Sequence, residues 1–521
     1  MQRVFANPTE VEKIAKKTYG IPDFLMMENA AACMHDFILS LWQNKITEGC
    51  QEAKVLIVCG KGNNGGDGYA LARKLQGKAD ISLYCFEEPG PSEAAVQFEM
   101  CKKLGICFLQ KEDLVKKICD FDFIVDCLYG TGFHGELKAQ AAEIIQVLND
   151  PTHQSSQVIK IACDIPSGID VHGNLATSPV SSQPQCFQAD YTISMGTQKL
   201  CFYSDPAKQA CGKIIVANLG LDRNKFEQAN ESSPLYLIEK EDTKLPLRKN
   251  VSAHKGTYGH TAVFAGEKSG AAIIAATAAM NFGSGLTSLV KTNNSNLEQF
   301  KISPELMISE SIPAKATSLV FGSGFDAFPQ SDFTRFMDWF ESKENPSVVF
   351  DAGILNAPDF ISQLAEMNKK QNAQIVLTPH LLEFSRFCKN LDLKEVDSSI
   401  EALTKSLEIK IKLGKMITAL FPKTTLVVKS ANTFIFTAHG ISEPNETYII
   451  ADGGPSLAKG GSGDVLAGMI AALLAQGYTA AQAAITACEV HALSSANTSG
   501  FGKEAFDLTP EKLINQFKAF F

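Results

Sequence analysis

Short apolar runs alternate with segments of helical pattern along the first 200 residues. Segments 68–76 and 93–104 have the helical pattern. Strands that alternate with helices are typical of βαβ units and a parallel sheet. Because ligands bind at the carboxyl ends of strands in open parallel sheets, functional residues are expected in the loops that follow the runs. The apolar runs read KVLIVCG, DISLYCF, FDFIVDC, VIKIACD and DYTISMG.

A charged segment without periodicity separates this series from a second one. It covers residues 222–255, and the later strand-like runs are TAVFAG, SLVFGSG, SVVFDAG, QIVLTPH and TLVVKS. No short repeat is present. The pattern therefore predicts two unlike α/β domains in tandem, at residues 1–221 and 251–521, with a linker at residues 222–250.

Two long stretches without charge raise the question of a membrane. They cover residues 269–290 and 465–488, and both mix Gly, Ser, Thr, Asn or Gln with short alanine runs. A membrane-spanning helix needs about 20 predominantly apolar residues. We therefore expect buried helices rich in small residues, and no membrane partner.

Composition and charge exclude further classes of protein. Hydrophobic residues make up 45% of the chain and charged residues 20%, and the net charge is −9. An acidic chain is not expected to bind nucleic acid, which needs a basic face. Twelve of the 14 cysteines lie between Cys33 and Cys211, but no apolar signal segment opens the chain and no Cys-x-x-Cys pair occurs. A cytoplasmic protein without a structural zinc site is expected.

The first candidate site is a glycine loop after the first predicted strand. Gly60, Gly62 and Gly65 fit the pattern G-x-G-x-x-G. Such a loop holds a phosphate at a helix start, or is only a tight turn between strand and helix. The neighbouring Asn63-Asn64 pair and Asp67 favour a ligand site, because a simple turn needs neither two amides nor an acid there.

Acids and a hydroxyl follow two neighbouring strands. Asp126 ends one strand, and Asp164 ends the next, with Ser167 shortly after it. Asn64, Asp126 and Ser167 offer oxygen donors for a monovalent or divalent cation, which leaves Asp164 free for proton transfer. The alternative for any one aspartate is a helix cap or a turn.

The motifs GKGNNGGDG, DCLYGTGFHGEL and DIPSGID together resemble the epimerase domain of NAD(P)H-hydrate repair enzymes. The resemblance implies a Rossmann-like fold, interconversion of the R and S forms of hydrated NADH and NADPH, and a potassium ion on Asn64, Asp126 and Ser167. It leads us to expect Asp164 as the acid/base residue. Lys199 is a local match to a family lysine, without an assigned role. The residues implied in binding the hydrated dinucleotide are Asn63, Asn64, Gly65, Gly66, Asp67, Gly130, Thr131, Gly132, Phe133, His134, Gly135 and Glu136.

The second candidate site is the loop KGGSGD at residues 459–464, which runs into an apolar helix. Its glycines free the backbone to wrap an anion, and a helix start supplies N–H groups and the positive end of the dipole. Asp464 beside a phosphate is unfavourable unless it accepts a proton from the attacking nucleophile. The alternative is a glycine-rich turn in which Asp464 only favours the helix dipole.

The KGGSGD loop and the segment KSANT resemble the ribokinase-like fold, and LTPHLLEF with LVFGSG narrows the resemblance to ADP- or ATP-dependent NAD(P)H-hydrate dehydratases. The three-layer domain so implied uses Asp464 as the base that activates the hydrate's hydroxyl for phosphorylation. Magnesium is expected with the nucleotide, and a homo-oligomer is expected. The nucleotide residues implied are Lys429, Ser430, Ala431, Asn432, Thr433 and Gly463, and the hydrate pocket residues are Ala271, Gly324 and His380.

One departure from the family pattern lies beside His380. Leu381 and Leu382 replace the usual Pro-Gly and change backbone freedom there. Asp464 is intact. The sequence thus predicts a bifunctional enzyme of hydrated-cofactor repair, with two rivals: a small-molecule kinase that releases a phosphorylated product, and a dinucleotide-binding protein without catalysis.

Overall fold

Two compact units make up the chain. They are described by a computed structural model for residues 1–45, 52–150, 158–228, 234–325, 330–393, 396–441, 445–495 and 505–520. The first unit is Arg3–Ser233 with Lys405–Leu407, and the second is Met1–Gln2, Pro234–Thr404 and Glu408–Phe521. The domain boundaries expected from the sequence stay a prediction, and residues 229–233 of the expected linker lie outside the described residues.

The first unit contains the short strand–helix alternation that the apolar runs predict. Its helices are α1 (Pro8–Tyr19), α2 (Asp23–Lys45), α3 (Asn63–Leu75), α4 (Glu93–Lys103), α5 (Lys111–Lys117), α6 (Ala139–Asn149), α7 (Lys208–Cys211) and α8 (Arg223–Gln228). Its strands, of which β1 begins one residue before the unit, are β1 (Gln2–Phe5), β2 (Ala53–Cys59), β3 (Ala79–Cys85), β4 (Cys107–Phe108), β5 (Phe123–Cys127), β6 (Ile159–Cys163), β7 (Ala176–Ser178), β8 (Ser181–Gln185), β9 (Tyr191–Met195), β10 (Gln198–Lys199) and β11 (Lys213–Ala217).

Seven parallel strands form the main sheet of this unit, in the order β11-β9-β6-β5-β2-β3-β4. Cys59 at the end of β2 lies opposite Cys85 of β3 and Cys127 of β5. Asp126 lies opposite Ala162 of β6. The register therefore brings the loops after β2, β5 and β6 to one edge of the sheet, where the candidate residues of the first site occur.

Both faces of this sheet are covered. Val55 and Ile57 of β2 pack into one apolar cluster with residues of α1 to α4, and Leu56 and Val58 pack into another with residues of α5 and α6. Side chains alternate between the faces of a strand, so a strand that is buried on both sides has a continuous apolar run. The first unit is thus a three-layer α/β structure.

The second unit repeats this plan with other connections. Its helices are α9 (Ser269–Asn281), α10 (Gln330–Ser342), α11 (Pro358–Met367), α12 (Leu381–Asn390), α13 (Ile400–Lys405), α14 (Leu407–Leu420), α15 (Ser462–Ala475), α16 (Ala480–Ser494) and α17 (Pro510–Asn515). Its strands are β12 (Leu235–Leu237), β13 (His260–Phe264), β14 (Leu286–Val290), β15 (Met307–Ser309), β16 (Ser318–Phe321), β17 (Ser347–Phe350), β18 (Gln374–Leu377), β19 (Thr424–Val428), β20 (Thr433–Thr437) and β21 (Thr447–Ile450).

The strands of this unit pair in the order β12-β21-β20-β19-β18-β17-β16-β13-β14-β15. Only the pairs of β20 with β19 and with β21 are antiparallel among these neighbours. One face packs on α9, α15 and α16, and Phe321 and Phe350 on the other face contact rings of α10 and α11. The predicted fold class, two α/β domains with largely parallel sheets, is confirmed.

The two charge-free stretches differ in structure. Residues 465–475 lie on α15 and residues 480–488 on α16, so this stretch is helical as expected apart from the turn between the two helices. The expectation of helix throughout 269–290 is wrong, because α9 ends at Asn281 and β14 begins at Leu286. Gly283, with a φ of 102°, breaks the helix in a conformation that favours glycine. None of the described helices has the length and apolarity that a bilayer crossing requires.

Small residues in these helices allow close packing. A Cβ atom on Gly468 of α15 would lie 2.1 Å from the carbonyl oxygen of Ala275 on α9. The two helix backbones therefore approach so closely that only glycine fits at this position. This packing fixes the direction of α15, whose first turn carries Asp464.

Candidate active sites

A cavity of about 530 Å³ opens at the strand ends of the first unit. It is formed by the loops after β2, β5 and β6, together with α1 and the start of α2. Volumes of this size suit a small organic ligand or part of a dinucleotide. The cavity brings together eight of the residues that the sequence predicts for the first site: Asn63, Asn64, Asp67, Gly130, Thr131, Gly132, Phe133 and Asp164.

Asp164 has the most constrained position in this cavity. Its φ is 69°, a left-handed conformation that is rare for residues other than glycine. Its Oδ1 atom lies 2.7 Å from Nζ of the buried Lys199 and accepts a hydrogen bond from the Met195 amide, while Oδ2 accepts one from the Thr131 amide. Two amides and an ammonium group therefore hold this carboxylate at the cavity wall.

The buried ammonium group of Lys199 contacts three residues. Besides Asp164, its Nζ donates to the Ser194 hydroxyl at 2.7 Å and to the Met195 carbonyl at 3.1 Å. A buried ammonium group needs this many partners to offset its desolvation. Lys199 is therefore a positioning residue for Asp164.

Asp67 lies on α3 at the bottom of the same cavity. Burial raises the pKa of its carboxyl well above the usual value, and the negative charges of Asp164 and Glu12 raise it further. The Cys163 thiol lies 3.9 Å from its Oδ2 atom. Burial thus favours the neutral form of Asp67, in which the carboxyl can donate a hydrogen bond to a ligand.

The three residues expected to bind potassium form one cluster. The Ser167 hydroxyl donates to Oδ1 of Asp126 at 2.7 Å and accepts a hydrogen bond from the Tyr129 amide. The Asn64 side chain donates to the Tyr129 carbonyl at 2.8 Å, and its Oδ1 atom is buried without a hydrogen-bond partner among the described residues. Burial raises the pKa of Asp126 to about 6, against the hydrogen bonds from Ser167 and Leu128. An unsatisfied amide oxygen beside a buried carboxylate fits a hard monovalent cation.

The other predicted residues of this site lie apart from the cavity wall. Gly65 and Gly66 are buried in the first turns of α3. His134, Gly135 and Glu136 are exposed, and Glu136 forms an isolated bridge with Thr177. Their role in binding stays a prediction.

Gly65 is required by packing, and this can be tested. A Cβ atom on Gly65 would lie 1.9 Å from the Gly60 carbonyl oxygen, while one on Gly62 would meet nothing within 4 Å. Gly65→Ala should cost about 1–3 kcal/mol, the usual range for overpacking, and lower the melting temperature by roughly 5 °C. Gly62→Ala is the matched control and should change it little. Calorimetry would measure both, and equal melting temperatures for the two variants would contradict the packing account.

The loop of the second unit has the conformation that an anion site needs. Gly461 precedes α15 with a φ of 91°, and a Cβ atom there would lie 2.6 Å from the Pro510 ring. Ser462, Gly463 and Asp464 form the first turn. The Ser462 N–H donates to the Lys459 carbonyl at 3.2 Å, and the Gly463 and Asp464 N–H groups lie at the helix start, where an anion can accept from them. This loop therefore combines a positive helix end with a carboxylate.

A buried ion pair lies beside Gly463. The Lys429 ammonium is 2.9 Å from Oδ1 of Asp351, which also accepts a hydrogen bond from the Thr378 hydroxyl at 2.6 Å. A Cβ atom on Gly463 would lie 3.2 Å from the Lys429 Nζ. Burial lowers the pKa of Lys429, but Asp351, Glu383 and Asp464 raise it above its usual value. Lys429 therefore stays a cation next to the phosphate loop.

Asp464 is poised to change its protonation state. Burial and the negative charge of Asp351 raise the pKa of its carboxyl to about 6, while the Ser323 hydroxyl and Lys429 act in the opposite direction. A carboxyl with this pKa is ionised at neutral pH and is more basic than an exposed one. Asp464 can thus accept a proton from a ligand hydroxyl.

The segment predicted to bind the nucleotide joins β19 to β20. Lys429, Ser430, Ala431 and Asn432 form the connection, and Thr433 begins β20. The Ser430 hydroxyl donates to the Asn432 carbonyl at 2.7 Å, and Lys410 donates to Ser430 at 3.0 Å. Only Lys429 of this segment is placed against the phosphate loop by a described contact.

The residues predicted for the hydrate pocket lie in the first turn of α9, in the loop after β16 and in the loop after β18. Gly324, with a φ of 76°, packs against the loop before α9, and a Cβ atom there would lie 3.4 Å from Cβ of Ala271. His380 is the N-cap of α12, with Nδ1 facing the Leu382 and Glu383 amides. Leu381 and Leu382 therefore occupy a regular first helical turn, which needs no glycine. Contact of these residues with a hydrate stays a prediction.

Sequence reasoning missed three residues of the two sites. Asp351 ends β17 in the quoted run SVVFDAG, so the rule about strand ends could have found it. His491 of α16 lies 3.0 Å from the Ser462 carbonyl, and burial lowers its pKa to about 4. Glu12 lines the first cavity from α1. Neither of the last two follows a strand or belongs to a glycine motif, so no local signal pointed to them.

Two protein families match separate parts of the chain, and some known proteins match its full length. The family described as YjeF-related protein N-terminus matches residues 24–201. The family described as NAD(P)H-hydrate dehydratase matches residues 261–517. The two families therefore fall on the two parts of the sequence that contain the first and second candidate sites.

Individual relatives are similar to parts of this chain or to the whole of it. A NAD(P)H-hydrate epimerase of Elusimicrobium minutum is 37% identical over 227 residues, 41% of this chain and 93% of that protein. A crystal structure of the ADP/ATP-dependent NAD(P)H-hydrate dehydratase of Bacillus subtilis with ATP and Mg²⁺ covers 55% of this chain and 97% of that chain, at 23% identity and a TM-score of 0.44. The bifunctional NAD(P)H-hydrate repair enzyme Nnr of Helicobacter pylori is 34% identical over 525 residues, which are 99% of this chain and 100% of that protein. The chain therefore belongs to the family of bifunctional NAD(P)H-hydrate repair enzymes, as its two motif sets indicated.

Proposed function

We propose that the first unit interconverts the R and S forms of hydrated NADH and NADPH, and that the second dehydrates the S form with ADP or ATP. One observation carries the proposal. Each unit has a constrained aspartate: Asp164 follows a strand of the first unit, and Asp464 lies at the start of a helix of the second. The chain that carries both aligns end to end with a bifunctional repair enzyme. Fusion suits this reaction pair, since a dehydratase for one epimer leaves the other behind.

In the second unit, the chemistry converts a poor leaving group into a good one. Asp464 accepts the proton of the hydrate's hydroxyl, whose oxygen attacks the terminal phosphorus of the nucleotide. Backbone N–H groups at the start of α15 and the Lys429 ammonium stabilise the charge on the phosphoryl oxygens. Phosphate then leaves the ring carbon with help from the ring nitrogen's lone pair, and loss of a ring proton restores the dihydronicotinamide.

In the first unit, Asp164 transfers a proton at the hydroxyl or ring nitrogen of the carbinolamine, and Lys199 holds the Asp164 carboxylate in place. Asn64, Asp126 and Ser167 would bind potassium, which supplies a fixed positive charge at the cavity edge. Asn63, Asp67 and the loop at Gly130 to Phe133 would contact the nicotinamide half of the hydrate.

Magnesium, a homo-oligomer and a cytoplasmic location stay predictions. Among the described residues, no group of three or more His, Cys, Asp or Glu side chains could hold a metal ion. A magnesium ion that arrives with the nucleotide needs only one or two carboxylates, because substrate phosphates and waters complete its shell.

The direct test of the second activity is incubation of the full chain with S-hydrated NADH and either ADP or ATP. Recovery of the absorbance of the reduced nicotinamide, with one inorganic phosphate released for each turnover, is expected. A stable phosphorylated hydrate without recovered absorbance would instead identify a small-molecule kinase. Binding of the hydrate without any turnover would support the other alternative, a dinucleotide-binding protein without catalytic activity.

The rate of dehydration should fall in acid with the ionisation of Asp464. Because the pKa of this base is about 6, its reactive carboxylate is lost as the pH falls through that value. The kcat at saturating substrates should be about tenfold lower at pH 5 than at pH 7. A kcat that stays constant over this range would contradict the role of Asp464.

Asp351→Asn tests whether the fall of kcat in acid reports the ionisation of Asp464 or that of the nucleotide phosphate. The substitution removes the negative charge that raises the pKa of Asp464 and frees the positive charge of Lys429 that lowers it. The acid limb of kcat should therefore move to lower pH. A limb that stays in place would assign it to the nucleotide phosphate.

A further inference from the structure

A carboxyl group that the proposed mechanism does not use lies in the epimerase cavity. Glu12 of α1 lines this cavity together with Asp67 and Asp164. Helix α1 begins at Pro8 after its cap Asn7 and buries Val11 and Ala15 on its inner side, which places Glu12 at the edge of the buried face. With Asp23 and Glu87, which also line it, five acidic residues border this cavity.

Both cations near Glu12 are engaged by other acids. Lys16, one helical turn after Glu12, forms an ion pair with Asp23, and Lys199 forms one with Asp164. Among the described residues, Glu12 itself has no hydrogen bond and no ion pair. No hydrogen bond or ion pair stabilises the anionic form of this half-buried carboxyl, so its anionic form is unfavourable. The carboxyl can therefore exchange a proton with a ligand.

The surrounding charges set the protonation of Glu12. Burial and then the negative charge of Asp164 raise the pKa of Glu12 to about 7, with Asp23 adding to the rise and Lys199 and Lys16 opposing it. Asp67 is a further acid of the cavity. At the cavity mouth, Lys61 and Lys138 are both paired with Glu87. Glu12 is therefore close to half protonated at neutral pH, the condition in which a side chain serves best as acid and base.

We propose that Glu12 is the second proton-transfer residue of the epimerase site and acts on the ring nitrogen while Asp164 acts on the hydroxyl. This assignment rests on the proposed epimerase function. Pairs of carboxyls whose environments differ, one ion-paired and one neutral, are a general solution for acid and base work at one substrate.

The step balances without an oxidant or a further reactant. Asp164 accepts the hydroxyl proton, the carbon–oxygen double bond forms, and the bond from this carbon to the ring nitrogen breaks. The bonding pair goes to the nitrogen, which takes a proton from Glu12. After rotation about the adjacent carbon–carbon bond, the nitrogen attacks the other face of the aldehyde. Its proton returns to Glu12, and Asp164 returns the proton to the oxygen.

Glu12→Gln tests this role, with Glu10→Gln on the exposed side of α1 as the matched control. The interconversion of R- and S-hydrated NADH would be followed by chromatography without nucleotide, so that dehydration does not proceed. Glu12→Gln should lower the epimerisation kcat about a hundredfold with little change in KM, the usual size of a general-acid effect. The decline of the wild-type kcat above about pH 7 should disappear in the residual activity.

The outcomes separate this proposal from the function on which it rests. A wild-type chain that does not interconvert the epimers would refute the epimerase function itself. Wild-type activity that Glu12→Gln retains, or loses only through KM with the same pH profile, would overturn the role of Glu12 alone. Glu10→Gln should match the wild type, and a melting temperature of the first unit equal to that of the wild type, measured by calorimetry, would show that each variant is folded.

Lys16→Met provides a second test that keeps Glu12 in place. Removing the Lys16 charge, which lowers the pKa of Glu12, and freeing the charge of Asp23 should move the alkaline limb of epimerisation to higher pH. A limb that does not move would overturn the proposal even if Glu12→Gln failed to fold.

Discussion

Asp464→Asn should abolish dehydration while leaving nucleotide binding intact. The amide is nearly the same size as the carboxyl but cannot accept the hydroxyl proton, and the main-chain N–H groups of the helix start remain. We expect kcat to fall about a thousandfold, within the range for loss of a general base. The measurement is absorbance recovery from S-hydrated NADH at saturating ADP or ATP, with nucleotide affinity measured by calorimetry.

Asp338→Asn is the matched control for this substitution. Asp338 lies on an exposed position of α10, so its replacement removes a similar charge from the same unit at a residue with no described contact to the phosphate loop. Its dehydration rate should equal that of the wild type. Persistent dehydration by Asp464→Asn at the wild-type rate would show that another group is the base.

Asp164→Asn should stop epimerisation and leave dehydration unchanged. The asparagine oxygen can still accept a hydrogen bond from the Met195 or Thr131 amide, but it cannot exchange a proton at the carbinolamine. Epimerisation should fall to near its uncatalysed rate, a loss of about a thousandfold. With a mixture of both epimers and nucleotide, recovery of NADH should stop once the S form is consumed.

Asp164→Ala should be less stable than Asp164→Asn. Both substitutions remove the carboxylate that pairs with the buried Lys199 ammonium, but only asparagine keeps an oxygen that can accept its hydrogen bond. Asp80→Asn, on an exposed position of β3, is the control for a lost carboxylate in the same unit. Rapid interconversion of the epimers by a folded Asp164→Asn chain would contradict the assignment of this aspartate.

The elements of the site could be predicted because strand ends and glycine loops leave local signals. Asp126 and Asp164 follow continuous apolar runs, and the parallel register brings them to one sheet edge. The KGGSGD loop was placed at the start of α15, where the structure has it. In each case the pattern lies within about ten residues of the side chain concerned.

Residues that act through distant partners left no such signal. The pairs Lys199–Asp164 and Lys429–Asp351 join positions 35 and 78 residues apart, and only the sheet register brings them together. Glu12 lies on an ordinary amphipathic helix whose pattern does not reveal a cavity. The break between α9 and β14 was missed because small apolar residues continue across it, so that only the Gly283 turn separates helix from strand.

The most direct test of the two-activity account starts from purified R-hydrated NADH and the full chain with ADP or ATP. Complete recovery of NADH is expected, because the first unit must supply the S form that the second unit consumes. Without nucleotide, only interconversion to the mixture of epimers should occur. Failure to recover NADH from the R form, while the S form is dehydrated, would contradict the claim that one chain performs both reactions.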